Sequence, residues 1–329
     1  NIVEKTFGPY KVDKTAPTGV ITGNPTSWTN QDVTLTFSAT DTGGSGVQRV
    51  RVKDGDWVNG ATTTLEVSEN GTYTFEVEDN AGNTSEVSAV VNRIDKELPN
   101  GTITGKPTSW TNQDVTLTFI ATDTGGSGVR RVRVKDGDWV DGATTTQIAT
   151  RNGAYKFEVE DHAGNRREVS VVVNRIDKTL PNGTITGNPT TWTNQNVTLT
   201  FNAIDTGGSG VRRVRPSGGS WVTGNTTTQT ATSNGTYSFE VEDNAGNKKT
   251  VSFTVSNIDK IHPTVTANPD QKDWINSGVT VTLAYKDTGG SSLKTKQYAW
   301  SKSETTPSTW ENYSGSVNQN EDGIWYLHY

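Results

Sequence analysis

The sequence predicts an all-β protein: tandem seven-strand β-sandwiches arranged as an elongated rod. Three observations predict it. Apolar and polar residues alternate in short runs, the period of a half-buried strand. Clusters of glycine, asparagine and aspartate punctuate those runs. The phrase SWTNQDVTLTF at residues 27–37 returns unchanged at residues 109–119, and again as TWTNQNVTLTF from Thr191 and, more loosely, as DWINSGVTVTL from Asp273. Trp28, Trp110, Trp192 and Trp274 therefore stand 82 residues apart, as do Asp13, Asp95, Asp177 and Asp259. Periods of about 20 to 50 residues belong to solenoids whose units lean on their neighbours, whereas about 80 residues suffice for a small domain with its own core. The expected boundaries are 1–12 as the closing strand of a preceding repeat, repeats at 13–94, 95–176 and 177–258, and a divergent, truncated repeat at 259–329.

Each element of one repeat can be justified in turn. After the DKTAP segment comes a first strand; then VTLTFSATD sets Val33, Leu35, Phe37 and Ala39 against Thr34, Thr36 and Ser38. VQRVRVKDG places Val50 and Val52 on one face. In TYTFEVED, Tyr73, Phe75 and Val77 oppose Thr72, Thr74 and Glu76, and in EVSAVVN, Val87, Ala89 and Val91 oppose Ser88 and Val90. Turn signals separate them at Gly23, Asp41, Lys53, Glu69 and Asp79. The repeats test the assignment, because outward positions should vary most. Ser38 becomes Ile120 and Asn202, and Thr74 becomes Lys156 and Ser238, while the inward phenylalanine persists as Phe37, Phe119 and Phe201. An inward position of the last strand does vary, from Ala89 to Val171 and Phe253. A tandem rod needs an odd strand count so that the chain leaves opposite to where it came in. The short stretch Asp56–Val58 supplies a seventh strand, giving the order A, B, C, C′, E, F, G of an immunoglobulin-like or fibronectin-like sandwich. Trp57, Trp139 and Trp221 would then cover a sheet edge or core rim.

In the order DKTAP, TNQDVTLT, SGV, DNAGN, the chain resembles the bacterial Ig-like repeats found in tandem in Gram-positive surface proteins, adhesins and large secreted enzymes. The resemblance covers nearly the whole chain. It implies a β-sandwich, an exported protein and an architectural or adhesive role, and it implies no catalytic residues.

Composition narrows the function. With 30% hydrophobic residues, 20% charged residues and 34 glycines, the chain suits several thin cores better than one large interior. A formal charge of −6 argues against a nucleic-acid partner, and the basic VRRVR stretches at Val129 and Val211 sit among acidic turns. No apolar run approaches a membrane span, so no membrane insertion is expected in this segment. Cysteine and methionine are both absent, which suits an exposed extracellular chain, cell-surface or secreted. No flexible linker separates the repeats; Pro17, Pro99, Pro181 and Pro263 stiffen the chain past each boundary, and Ile94, Ile176 and Ile258 are expected to pack across the joints. Both ends read as cuts through a repeat, and the expected state is a monomeric rod longer than about 120 Å.

The site candidates are few. Strand order sends the B–C loop, the F–G loop and the start of a repeat to the same end, so Asp13, Asp41 and Asp79, then Asp95, Asp123 and Asp161, then Asp177, Asp205 and Asp243 could share a calcium ion. The same residues are ordinary formers of Asx turns, and the sequence favours that plainer reading. Trp300 and Trp310 of the aromatic-rich fourth repeat are candidate glycan-stacking residues, set against core packing, which is favoured. The histidines are His162, His262 and His328, and His162 stands where other repeats carry Asn80 and Asn244, so catalysis is not expected. Lys14, Lys96, Lys178 and Lys260 recur but sit in exposed junctions, which disfavours a lysine cross-link. The reading is a non-enzymatic stalk that extends an adhesive or catalytic module, with glycan or protein partners reached through modules outside this chain. The alternatives are glycan binding by the fourth repeat and a spacer array in a secreted hydrolase.

Overall fold

A computed structural model describes residues 2–270 and 272–329; of the segment 1–12, expected as the closing strand of a preceding repeat, Asn1 lies outside them and residues 2–12 carry no strand. Strands are the only regular elements among the described residues. The first repeat contains β1 (Thr18–Thr22), β2 (Val33–Thr40), β3 (Val47–Val52), β4 (Val58–Asn59), β5 (Thr62–Val67), β6 (Gly71–Asp79) and β7 (Thr84–Val91). They form a three-stranded sheet, β1-β2-β5, and a four-stranded sheet, β4-β3-β6-β7, antiparallel throughout. The seventh strand falls at Val58–Asn59, slightly later than the Asp56–Val58 expected, which leaves Trp57 just outside the ladder.

Alternation makes the core. Along β2, Leu35, Phe37 and Ala39 are buried between exposed or half-buried neighbours, and Val50, Phe75, Val77 and Val91 face them from the other sheet. The Phe37 and Phe75 rings stack at 5.3 Å between centroids, bridging the sheets. The same pair recurs as Phe119–Phe157 and Phe201–Phe239, each inside a separate buried cluster. Two backbone positions are fixed by geometry. A β-carbon on Gly19 would fall 2.4 Å from the Phe37 ring, so the close approach of β1 to the core admits only glycine. In the β3–β4 turn the left-handed position is Asp54 (φ 66°), Asp136 (φ 64°) and Gly218 (φ 78°) in successive repeats, residue types that tolerate that conformation. A bulge between Val47 and Arg49, repeated in the next two copies, bends the start of β3.

The chain divides into two compact units, Asn1–Ser109 with Gln113–Ile176, and Trp110–Asn112 with Asp177–Tyr329. The first unit holds two complete seven-stranded sets. The second holds one more, and a six-stranded set from Thr264 to His328. That last set has a thinner core, in which Val281, Leu283 and Val317 are buried and Tyr285, Tyr298, Tyr313, Trp300 and Leu327 pack around them.

Ile94 departs from expectation. It is 5% exposed and packs within the core of the repeat it closes. The cause is Asn70, whose side chain accepts the Ile94 N–H at 2.9 Å and donates to its carbonyl at 2.8 Å, holding the residue back against its own sandwich. Ile176 and Ile258 are placed alike, with Asn152 and Asn234 in the role of Asn70.

Candidate cation site

Asp13 precedes β1, Asp41 follows β2 directly, and Asp79 ends β6. The fold brings the three to one end of the sandwich, with one carboxylate oxygen of each lying within 4.8 Å of the others, and the same holds for Asp95, Asp123 and Asp161 and for Asp177, Asp205 and Asp243. Backbone amides organise each cluster. Asp13 accepts from Thr15 N and Ser45 N, each at 2.9 Å. Asp41 accepts from Gly43 N at 2.9 Å and Gly46 N at 2.7 Å. Asp79, fully buried, accepts from Ala81 N and Asn83 N at 2.8 Å and from Asn83 Nδ2 at 2.7 Å. A β-carbon on Gly43 would sit 2.1 Å from Asp13 Oδ1, and Gly125 and Gly207 meet Asp95 and Asp177 in the same way, so the first glycine of each DTGG turn makes room for a carboxylate.

Hydrogen bonding decides the charge state. Backbone N–H groups of Thr15 and Ser45 hold the Asp13 carboxyl below its ordinary range. For Asp79 and Asp177 burial is the largest influence and pushes upward, but donors from Asn83, and from Ser209 and Thr179, together outweigh it and leave both lowered. Three carboxylates at such separations repel, and Asp79 Oδ1 already accepts two amides, from Ala81 and Asn83. An all-oxygen, anionic donor set of this kind suits a hard divalent cation such as calcium. It is also a complete turn-forming network in its own right.

The fourth repeat repeats part of the pattern. Asp259 accepts from Ile261 N at 2.9 Å and Ser291 N at 3.0 Å, and Asp287 accepts from Gly289 N at 3.0 Å.

Two features escaped the sequence reading. Asn83, Asn165 and Asn247 tie the F–G loop to the start of the repeat: Asn165 Nδ2 donates to Asp161 Oδ2 at 2.7 Å and to the Asp95 carbonyl at 2.9 Å. The signal was the second asparagine of DNAGN. The other feature is the outer face of the four-stranded sheet, where Arg49 and Arg51 stack on Trp57 at 4.6 and 4.4 Å and pair with Glu78 and Glu76 across the ladder. Trp57, Trp139 and Trp221 thus cover paired arginines on the sheet face. In the second repeat Glu160, whose side chain is 3% exposed, takes Arg131 at 2.8 Å, Arg166 at 2.6 Å and Arg130 at 3.2 Å.

The remaining candidates separate. Trp300 packs on the core of the fourth repeat, while Trp310 is exposed. His162 Nδ1 lies 3.1 Å from the Gly128 carbonyl, the place where Asn80 and Asn244 donate to Gly46 and Gly210 at 3.0 Å, so the histidine does the work of a loop-bracing amide. His328 Nε2 stands 3.0 Å from Ser301 Oγ and 3.0 Å from the Ser303 carbonyl. A carbonyl only accepts, so that nitrogen carries its proton and cannot take one from Ser301. No helix of the described residues is long and apolar enough to cross a membrane.

No family model matches the chain. It is 30% identical to exoglucanase B of Cellulomonas fimi over 327 aligned positions, which cover 88% of this chain and 30% of that protein, so the chain spans under a third of that relative's length. Two solved structures, Escherichia coli alpha-2-macroglobulin activated by porcine elastase and a Salmonella alpha-2-macroglobulin mutant, are each 12% identical. They cover 96% of this chain and 41% and 28% of their own, with TM-scores of 0.21 and 0.19, values at which nothing is carried over.

Proposed function

We propose that the chain is a non-enzymatic spacer, a run of Ig-like sandwiches in an exported bacterial protein that holds another module at a distance. The observation that carries this is Asp95. Its backbone N–H donates to Thr29 of the first repeat at 2.9 Å, and its carboxylate accepts Ser127 N of the second at 2.9 Å, so successive repeats share a residue and no slack chain lies between them. Small sandwiches, each with its own core and joined this tightly, suit reach. The similarity to part of an exoglucanase, in a chain with no catalytic constellation among its described residues, favours a spacer inside a modular hydrolase over an adhesin stalk. Glycan binding through Trp310 is the weaker alternative. The three aspartate clusters are proposed to hold calcium near the joints and to neutralise the carboxylates gathered there. Small-angle scattering tests the spacer reading: a maximum dimension above about 120 Å supports it, and a compact globule contradicts it.

A further inference from the structure

We infer that the Trp-Thr-Asn tripeptide within the repeated phrase is a docking element by which each repeat recognises the one after it, the receiving surface being the second glycine of the DTGG turn together with the F–G loop. This goes beyond the spacer reading and does not depend on what the array separates. In the first unit, the Trp28 indole comes within 3.7 Å of the position a β-carbon on Gly126 would take, and Asn30 Nδ2 within 3.9 Å of that on Gly164. Thr29, between them, accepts the Asp95 N–H and donates its own to the Arg93 carbonyl at 3.0 Å, so the tripeptide is pinned to the linker that leads to its target. An ion pair between Lys96 and Asp32 closes the side of the joint. The second unit repeats the arrangement, with Trp110 3.7 Å from the same point on Gly208, Trp192 3.1 Å from that on Gly290, and Asp259 N donating to the Thr193 carbonyl at 2.9 Å.

The chain contains its own control. The first repeat carries the identical DTGGSG turn, yet nothing lies within 4 Å of the corresponding point on Gly44. Its Asp13, Ser45 and Asn83 are half-buried and Ala81 is exposed. Where a tripeptide from the preceding repeat is seated, the counterparts Asp95, Ser127, Ala163 and Asn165 are all buried, as are Asp177, Ser209, Ala245 and Asn247. At the donor side, Trp274, the one such tryptophan with no DTGG turn against it among the described residues, is 83% exposed. Identical local sequence with different burial means that the neighbour does the burying. The contact is directional, tripeptide to glycine turn, and any repeat with DTGG can follow any repeat with the tripeptide.

Amide hydrogen exchange on the whole chain tests this. In the native protein the Ser127 and Ser209 amides should exchange at least tenfold more slowly than Ser45, although all three donate to an equivalent aspartate. Trp28→Ala should bring Ser127 to the Ser45 rate and leave Ser209 slow, while Trp28→Phe keeps most of the protection. Trp192→Ala should act in the same way on Ser291 alone, a second reading should Trp28→Ala unfold its own repeat. Equal rates at Ser45 and Ser127 in the native chain, or a Ser127 rate untouched by Trp28→Ala in a folded protein, would overturn the inference. A compact scattering profile with the predicted exchange pattern would instead remove the spacer reading and leave the docking element standing.

Discussion

Asp95 Oδ2 accepts the backbone N–H of Ser127 at 2.9 Å, across 32 residues of chain, while Asp95 Oδ1 accepts that of Glu97 at 3.0 Å. Both oxygens face donors, so an amide in place of the carboxylate would turn one NH₂ group against an N–H. Asp95→Asn should therefore lower the stability of the second repeat by about 1–3 kcal/mol, the cost of an unmatched buried donor. Urea unfolding with a probe in that repeat would read the loss, and an unchanged midpoint would contradict the assigned role.

The core pairs make a separate prediction. Phe119 and Phe157 stack at 5.3 Å in a cluster that shares no residue with those of the flanking repeats. Phe119→Ala should cost about 3–5 kcal/mol, and a calorimetric trace should show one transition moved down with the others in place. A single transition shifted as a whole would mean that the repeats unfold together.

Acid sensitivity should centre on the sheet-face ion pairs. Burial pushes the carboxyls of Glu160 and Glu242 upward, but the guanidiniums of Arg131 and Arg166, and of Arg213, outweigh it and hold both below the usual glutamate range. A depressed folded-state pKa gives stability that is present above the unfolded value, near about 4.3, and lost as pH falls through the folded one. The second and third repeats should thus keep their melting temperature down to about pH 5 and lose it below about pH 4. Glu160→Gln should flatten that decline for the second repeat while lowering its stability at neutral pH.

The cation proposal is tested by calorimetric titration. Calcium should bind at the aspartate clusters and raise the melting temperature, chelation should reverse this, and Asp123→Asn should remove one site while Asp41 and Asp205 keep theirs. Absence of heat at millimolar calcium would leave the aspartates as turn formers.

Much of this was legible from residue patterns. Alternation in VTLTFSATD identifies Leu35 and Phe37 as inward because a strand has only two faces, and both are fully buried. The aspartate gathering follows from strand order alone, since loops after β2 and β6 must lie at the end where β1 begins. What escaped depends on partners distant in sequence. Nothing near Trp57 says that Arg49 and Arg51 will stack on it, because that contact is set by the β3–β4 turn. Ile94 reads as a linker residue until Asn70, 24 positions earlier, is seen to hold it. Trp28 reads only as a marker of the 82-residue period, and only the joint shows its indole against the next repeat.

The most direct test of the spacer account is a distance between repeats. The chain has no cysteine, so Ala61→Cys and Asn225→Cys, both exposed and two repeats apart, can be labelled as the sole thiols for single-molecule energy transfer. A rod of tightly joined sandwiches predicts one narrow population at about 70–80 Å, broadened by Trp28→Ala. A short mean distance, or a broad distribution in the unsubstituted joints, would contradict it.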